Sequence, residues 1–111
     1  MKTSDAVNAL GALAHETRLQ IFRLLVRAGQ PGLAVGAIAE ALQIDANGRL
    51  SFHLKELLAA GLTLARQEGR FVYYAVNYAA MNELLRYLTE DCCGGVPCGD
   101  SASPCEPGVC P

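Results

Sequence analysis

The sequence predicts a mainly α-helical domain with one small β-hairpin, and three observations predict it. Apolar residues recur at helical spacing in four successive stretches between residues 3 and 60. The period then changes to that of strands over residues 62–76, around a Glu68-Gly69 turn signal. Finally, all five cysteines (Cys92, Cys93, Cys98, Cys105 and Cys110) lie in the last 20 residues. Residues 1–91 therefore have no cross-link to rely on and must fold by burying apolar surface. A composition of 51% hydrophobic and 18% charged residues allows this.

The elements follow in order. Residues 3–14 place Val7, Leu10, Leu13 and Ala14 on one helical face, with Thr3 or Ser4 as cap. Glu16 to Ala28 is a second helix, with Leu19, Phe22 and Val26 on one stripe and Ile21 and Leu25 on another. Gly29-Gln30-Pro31-Gly32 ends it. Leu33 to Gln43 is a third, carrying Val35, Ile38, Ala39 and Leu42 at helical spacing. Asp45 or Asn47 can cap a fourth helix running to about Ala60, where Leu50, Leu54, Leu57 and Leu58 form the buried stripe and Gly61 stops it. Leu62 to Gln67 and Arg70 to Val76 pair as one hairpin, which needs the helices to pack on. A last helix runs from about Tyr78 to Glu90, with Met81, Leu84, Leu85 and Leu88 on one face. Residues 1–91 thus form one domain. Residues 92–111 form a Cys/Gly/Pro-rich tail that cannot build a core and is expected to be flexible.

The order α-α-α-α-β-β-α is that of a winged helix-turn-helix. Helices three and four, joined by a short turn, form the helix-turn-helix, and the hairpin is the wing. The charge balance permits DNA binding without demanding it. Residues 1–82 carry eight Lys/Arg against six Asp/Glu, a balance of +2, whereas residues 83–111 carry −4. No apolar run reaches the length of a membrane span, and the start, MKTSDAVNAL, lacks the features of a secretory signal. The expectation is a cytoplasmic chain with no membrane partner, whose cysteines serve as thiols or metal ligands.

Three stretches carry a family resemblance. Ser51 to Leu62 reads S-x-H-L-K-x-L-x-x-A-G-L, Gly69 to Tyr74 reads GRFVYY, and Ala14 to Leu19 reads AHETRL. In this order and spacing they resemble the ArsR/SmtB family of bacterial metal-responsive transcriptional repressors, over about residues 5–90. The resemblance implies a homodimer whose first and last helices form the interface and whose fourth helix enters the major groove of operator DNA. The apolar faces of helices one and five agree independently, since so small a monomer leaves them little to cover. Two-fold symmetry then requires a near-palindromic operator.

Base contacts are expected from the exposed N-terminal part of helix four: Arg49, Ser51, His53 and Lys55. Arginine is the usual bidentate partner of guanine, and Ser and His can read bases or hold phosphates. Arg66 and Arg70 flank the wing tip and can hold phosphates or reach the minor groove. The plainer alternative is that these are solvated charges on a polar face. Many family members carry a small hydroxyl residue where Arg49 stands, so the operator preference need not match theirs.

Cys92-Cys93-x4-Cys98 begins where helix five ends. Three thiolates suit a trigonal pyramidal ion such as As(III) or Sb(III) and leave a tetrahedral Zn(II) one ligand short. Adjacent cysteines diverge on a regular helix, so both can meet one ion only where the helix has frayed. Gly94-Gly95 and Pro97 supply that freedom. Two other site types known in the family are missing their ligands here. Val35 to Glu40 has no cysteine, and Tyr78 to Glu90 has no histidine. The remaining resemblance is to the subgroup that senses arsenite through Cys92, Cys93 and Cys98, with As(III) or Sb(III) as inducer and no organic cofactor. Cys105 and Cys110 match nothing in that pattern. Competing readings are a thiol redox repressor, a sensor of another thiophilic ion or of methylated trivalent arsenicals, and a tail with no ligand at all. An enzyme has little support: there is no C-x-x-C, no nucleotide-binding glycine loop and no general base paired with a tail cysteine.

Overall fold

The computed structural model describes residues 1–95. Five helices, α1 (Thr3–Leu13), α2 (Glu16–Ala28), α3 (Val35–Leu42), α4 (Gly48–Ala59) and α5 (Tyr78–Leu88), combine with three short strands, β1 (Leu33–Ala34), β2 (Thr63–Glu68) and β3 (Phe71–Val76). The core is built from one stripe of each of the five helices plus the base of the sheet. Ile21 and Leu25 of α2, Ile38 of α3, Leu50, Leu54 and Leu57 of α4, Val76 of β3 and Leu84 of α5 are all buried. Leu62, just before β2, joins them. This is the winged helix-turn-helix expected from the element order.

Two expectations are corrected. The third helix begins at Val35, not Leu33, because Leu33 and Ala34 are drawn into the sheet. They pair antiparallel with Tyr74 and Tyr73 of β3. The hairpin is thus the outer part of a three-stranded sheet in the order β1-β3-β2. Gly32 makes that junction possible. Its φ is +73°, and a Cβ there would stand 2.4 Å from the Tyr74 carbonyl oxygen, so only glycine lets the chain pass β3 so closely. The wing itself is in register from Thr63↔Val76 to Glu68↔Phe71, closed by the two-residue turn Gly69-Arg70 with Gly69 at φ +65°.

The second correction concerns α1. Its buried residues are Ala6, Ala9 and Ala12, not the Val7–Leu10 stripe. Three alanines one turn apart let the α1 backbone lie close against its neighbours. Val7 is left 60% exposed and Leu10 42%. Lys2 rather than Thr3 or Ser4 precedes the helix, and its backbone N–H donates to Asp5 Oδ2 at 3.2 Å. On α5, Leu84 is buried while Leu85 and Leu88 are each 54% exposed. A hydrogen bond between the Thr3 and Tyr87 hydroxyls ties α1 to α5. Among the described residues no helix is long and apolar enough to cross a membrane.

Candidate functional site

Asn47 Oδ1 accepts from the backbone N–H groups of Arg49 (2.9 Å) and Leu50 (3.3 Å), so Asn47 caps α4. This sets where α4 begins and offsets the weak helix propensity of Gly48. Leu50, Leu54 and Leu57 turn inward, and Arg49, Ser51 and Lys55 are exposed. A cavity of about 320 Å³ opens beside this end of the helix, lined in part by Thr17, Asn47 and Arg49. A helix N-terminus with an arginine at its rim is well suited to a phosphate oxygen.

His53 is a correction. It was expected on the exposed face, but it is only 6% exposed and lies on the core side of α4. Its ring packs against that of His15, centroids 4.5 Å apart. Its Nδ1 accepts a hydrogen bond from Arg18 Nε at 3.1 Å. Burial, then the nearby His15, Arg18 and Arg49 charges, holds its pKa below the ordinary 6.5. A neutral His53 accepting from Arg18 locks α4 to α2. The spacing carried the signal: 50, 53, 54 and 57 are i, i+3, i+4 and i+7, and histidine takes the second place. Leu58, assigned to that stripe instead, is 37% exposed. His15 caps α2, its Nδ1 accepting from the Thr17 N–H at 3.2 Å.

The two wing arginines differ. Arg66 Nε donates to Glu68 Oε2 at 2.6 Å, and its Nη2 donates to the Pro31 carbonyl at 3.0 Å. Its guanidinium lies 5.2 Å from the Tyr73 ring centroid. It braces β2 against the segment that leads into α3. Arg70 sits in the turn itself and is exposed, well placed for a phosphate. Spacing alone places Phe52 on the outer side of helix four and gives it no role. Phe52, 53% exposed, stands on the outer face of α4 with the Arg18 guanidinium 5.5 Å from its ring centroid.

After α5 the chain breaks from helical geometry. Asp91, Cys93 and Gly94 have φ of 56°, 56° and 68°. This reversal brings the sulfurs of Cys92 and Cys93 to 3.7 Å from each other. Two sulfurs sharing one ion at a zinc–thiolate bond of about 2.3 Å and an angle of roughly 90–110° stand about 3.3–3.8 Å apart. The spacing of the pair therefore fits a thiophilic ion, but Cys93 is disulfide-bonded in this structure and can serve as a thiolate only after reduction. Among the described residues no group of three or more His, Cys, Asp or Glu is placed to hold a metal ion. Cys98, like Cys105 and Cys110, lies outside the described residues.

Comparison with known proteins agrees with the winged helix-turn-helix fold. A family model described as a helix-turn-helix domain matches residues 13–66. None of the curated proteins matches the chain. Among solved structures, HlyU from Vibrio cholerae N16961 is 35% identical, with a TM-score of 0.62, over 79% of this chain and 97% of that one. The homodimeric winged helix-turn-helix domain of Mb0332 from Mycobacterium bovis, a possible ArsR-family transcriptional regulator, is 32% identical with a TM-score of 0.62, over 79% and 81%. A possible transcriptional regulator for arsenical resistance is 28% identical with a TM-score of 0.62, over 73% and 80%.

Proposed function

The chain belongs to the ArsR family of winged helix-turn-helix transcriptional regulators, and from that premise we propose that it is an arsenite-responsive repressor. It is a DNA-binding regulator, not an enzyme. As a homodimer it binds a near-palindromic operator through α4 of each subunit, with Arg49, Ser51 and Lys55 at the bases and Arg70 at the phosphate backbone. It works in the cytoplasm, where thiols stay reduced. Exposed Val7, Leu10, Leu85 and Leu88 support a dimer built on α1 and α5, as does the homodimeric neighbour.

The observation that carries the sensing half is the 3.7 Å separation of the Cys92 and Cys93 sulfurs at the end of α5. With the Cys93 disulfide reduced and Cys98 as third thiolate, they form a site for As(III) or Sb(III), ions that favour three soft ligands. The neighbour named for arsenical resistance points the same way. Closing three thiolates on one ion reshapes the end of α5. Because α5 belongs to the dimer interface, the spacing of the two recognition helices changes and the operator is released. By linkage, DNA weakens metalloid binding by the same factor, and a coupling of about 1–3 kcal/mol makes a useful switch.

The test is operator release followed by fluorescence anisotropy against As(III), Sb(III), Zn(II), Cd(II) and peroxide. The native chain should respond to the two metalloids. Cys92→Ser, Cys93→Ser and Cys98→Ser should each bind DNA normally and lose the response. A normal As(III) response in Cys92→Ser would sink the site, and release by peroxide alone would make the protein a redox repressor.

A further inference from the structure

We infer that Phe52 is a specificity-determining residue that reads the 5-methyl group of a thymine in each operator half-site. The inference rests on the reading of α4 as the recognition helix. The buried side of α4 is marked by Leu50, His53, Leu54 and Leu57. At 100° per residue Phe52 points almost directly away from the middle of that stripe. With Lys55 it is therefore one of the two most outward large side chains in the first two turns, ahead of Arg49 and Ser51, and the one that is apolar.

Three local features make the ring a reader rather than a stray surface apolar group. Gly48 precedes Phe52 by one helical turn. Gly48 has no side chain, and nothing lies within 4 Å of where its Cβ would be, which leaves the ring open to a close approach. The Arg18 guanidinium lies 5.5 Å from the ring centroid, a cation–π contact that restrains the ring. Arg18 is itself held by its 3.1 Å hydrogen bond to buried His53, so the restraint traces back to the core. A ring fixed from behind loses little freedom on binding.

The chemistry names the partner. Along the major-groove edges of the four base pairs, the donors and acceptors belong to polar side chains, and the thymine methyl is the apolar feature. An exposed phenyl ring among Arg49, Ser51 and Lys55 suits that methyl and adds a contact those residues cannot make.

The experiment selects a binding site for the full-length protein from a random duplex pool. It then replaces each thymine of that site by deoxyuridine, which removes only the methyl. The expected result is one thymine per half-site whose loss weakens binding about fourfold, the worth of burying one methyl-sized group. Phe52→Ala should bind thymine and deoxyuridine duplexes equally at that position. Phe52→Leu, which keeps an apolar group and the helix, should retain part of the preference. Equal binding of every deoxyuridine duplex by the native protein overturns the inference, as does a selected site without thymine or an undiminished methyl effect in Phe52→Ala. Failure of the native protein to enrich any sequence is a different result, one that removes the DNA-binding reading and this inference with it.

Discussion

His53 holds two helices together only while it is uncharged. Its Nδ1 accepts from Arg18, and it is faced by His15 at the cap of α2, by Arg18 of α2 and by Arg49 of its own helix, all of which oppose a proton. Its pKa is therefore lower in the fold than in the unfolded chain. As the pH falls through about 6.5, the unfolded chain takes up a proton that the fold resists, so stability is full above that pH and declines toward the lowered value. Melting temperature should drop between about pH 7.5 and about pH 5.5. His53→Gln keeps an acceptor for Arg18 without titrating, and should flatten the drop. An equal slope in both proteins would refute the assignment. The exposure of Arg49, Ser51 and Lys55 was legible in the sequence because residue type and helical position agree there. At His53 and Phe52 they conflict: a polar ring occupies a core position, and an apolar ring faces outward. Spacing decides such cases, since the 50-53-54-57 stripe exists whatever residue fills it.

Among the elements, the helices were legible nearly to their ends, because each carries an apolar stripe and a stop signal. Glu16–Ala28 matches the expected bounds. Strand β1 was not legible. Two residues show no period, and what makes them a strand is the distant β3 backbone. The α1 face was misread because the helix has two stripes, one of alanines and one of larger residues, and periodicity alone does not rank them. The glycines around β1 separate these influences. Gly32→Ala must place a Cβ 2.4 Å from the Tyr74 carbonyl at positive φ, and should cost about 2 kcal/mol or more. Gly36→Ala, in α3 with nothing within 4 Å, should gain up to about 1 kcal/mol. Urea denaturation midpoints would report both, and a Gly32→Ala protein as stable as the native one would contradict the observed path.

At the scale of the molecule, the outward apolar residues of α1 and α5 set the expected assembly. Val7→Glu or Leu88→Glu places a charge where a dimer would bury it, while in the monomer both positions are exposed. Light scattering should show each variant shifted from dimer to monomer with its helical content intact, and operator affinity should fall because one subunit reaches only one half-site. A dimer that persists in both variants would move the interface elsewhere. The split of charge, basic before residue 83 and acidic from there on, makes the thiol end a poor place for DNA. What joins those two ends is Asn77. Its Oδ1 accepts from the Ala80 N–H at the start of α5 (3.3 Å), its Nδ2 donates to the Gly61 carbonyl (3.0 Å), and its backbone N–H donates to that of Leu62 (2.9 Å). One residue is thus both the first fastening of α5 and the anchor for the chain leaving α4. From this anchor α5 rises about 16 Å toward Cys92 and Cys93, and the Thr3–Tyr87 hydrogen bond joins it to α1 just before it ends. A torque at that end would bear on α1 as well as on the foot of α4.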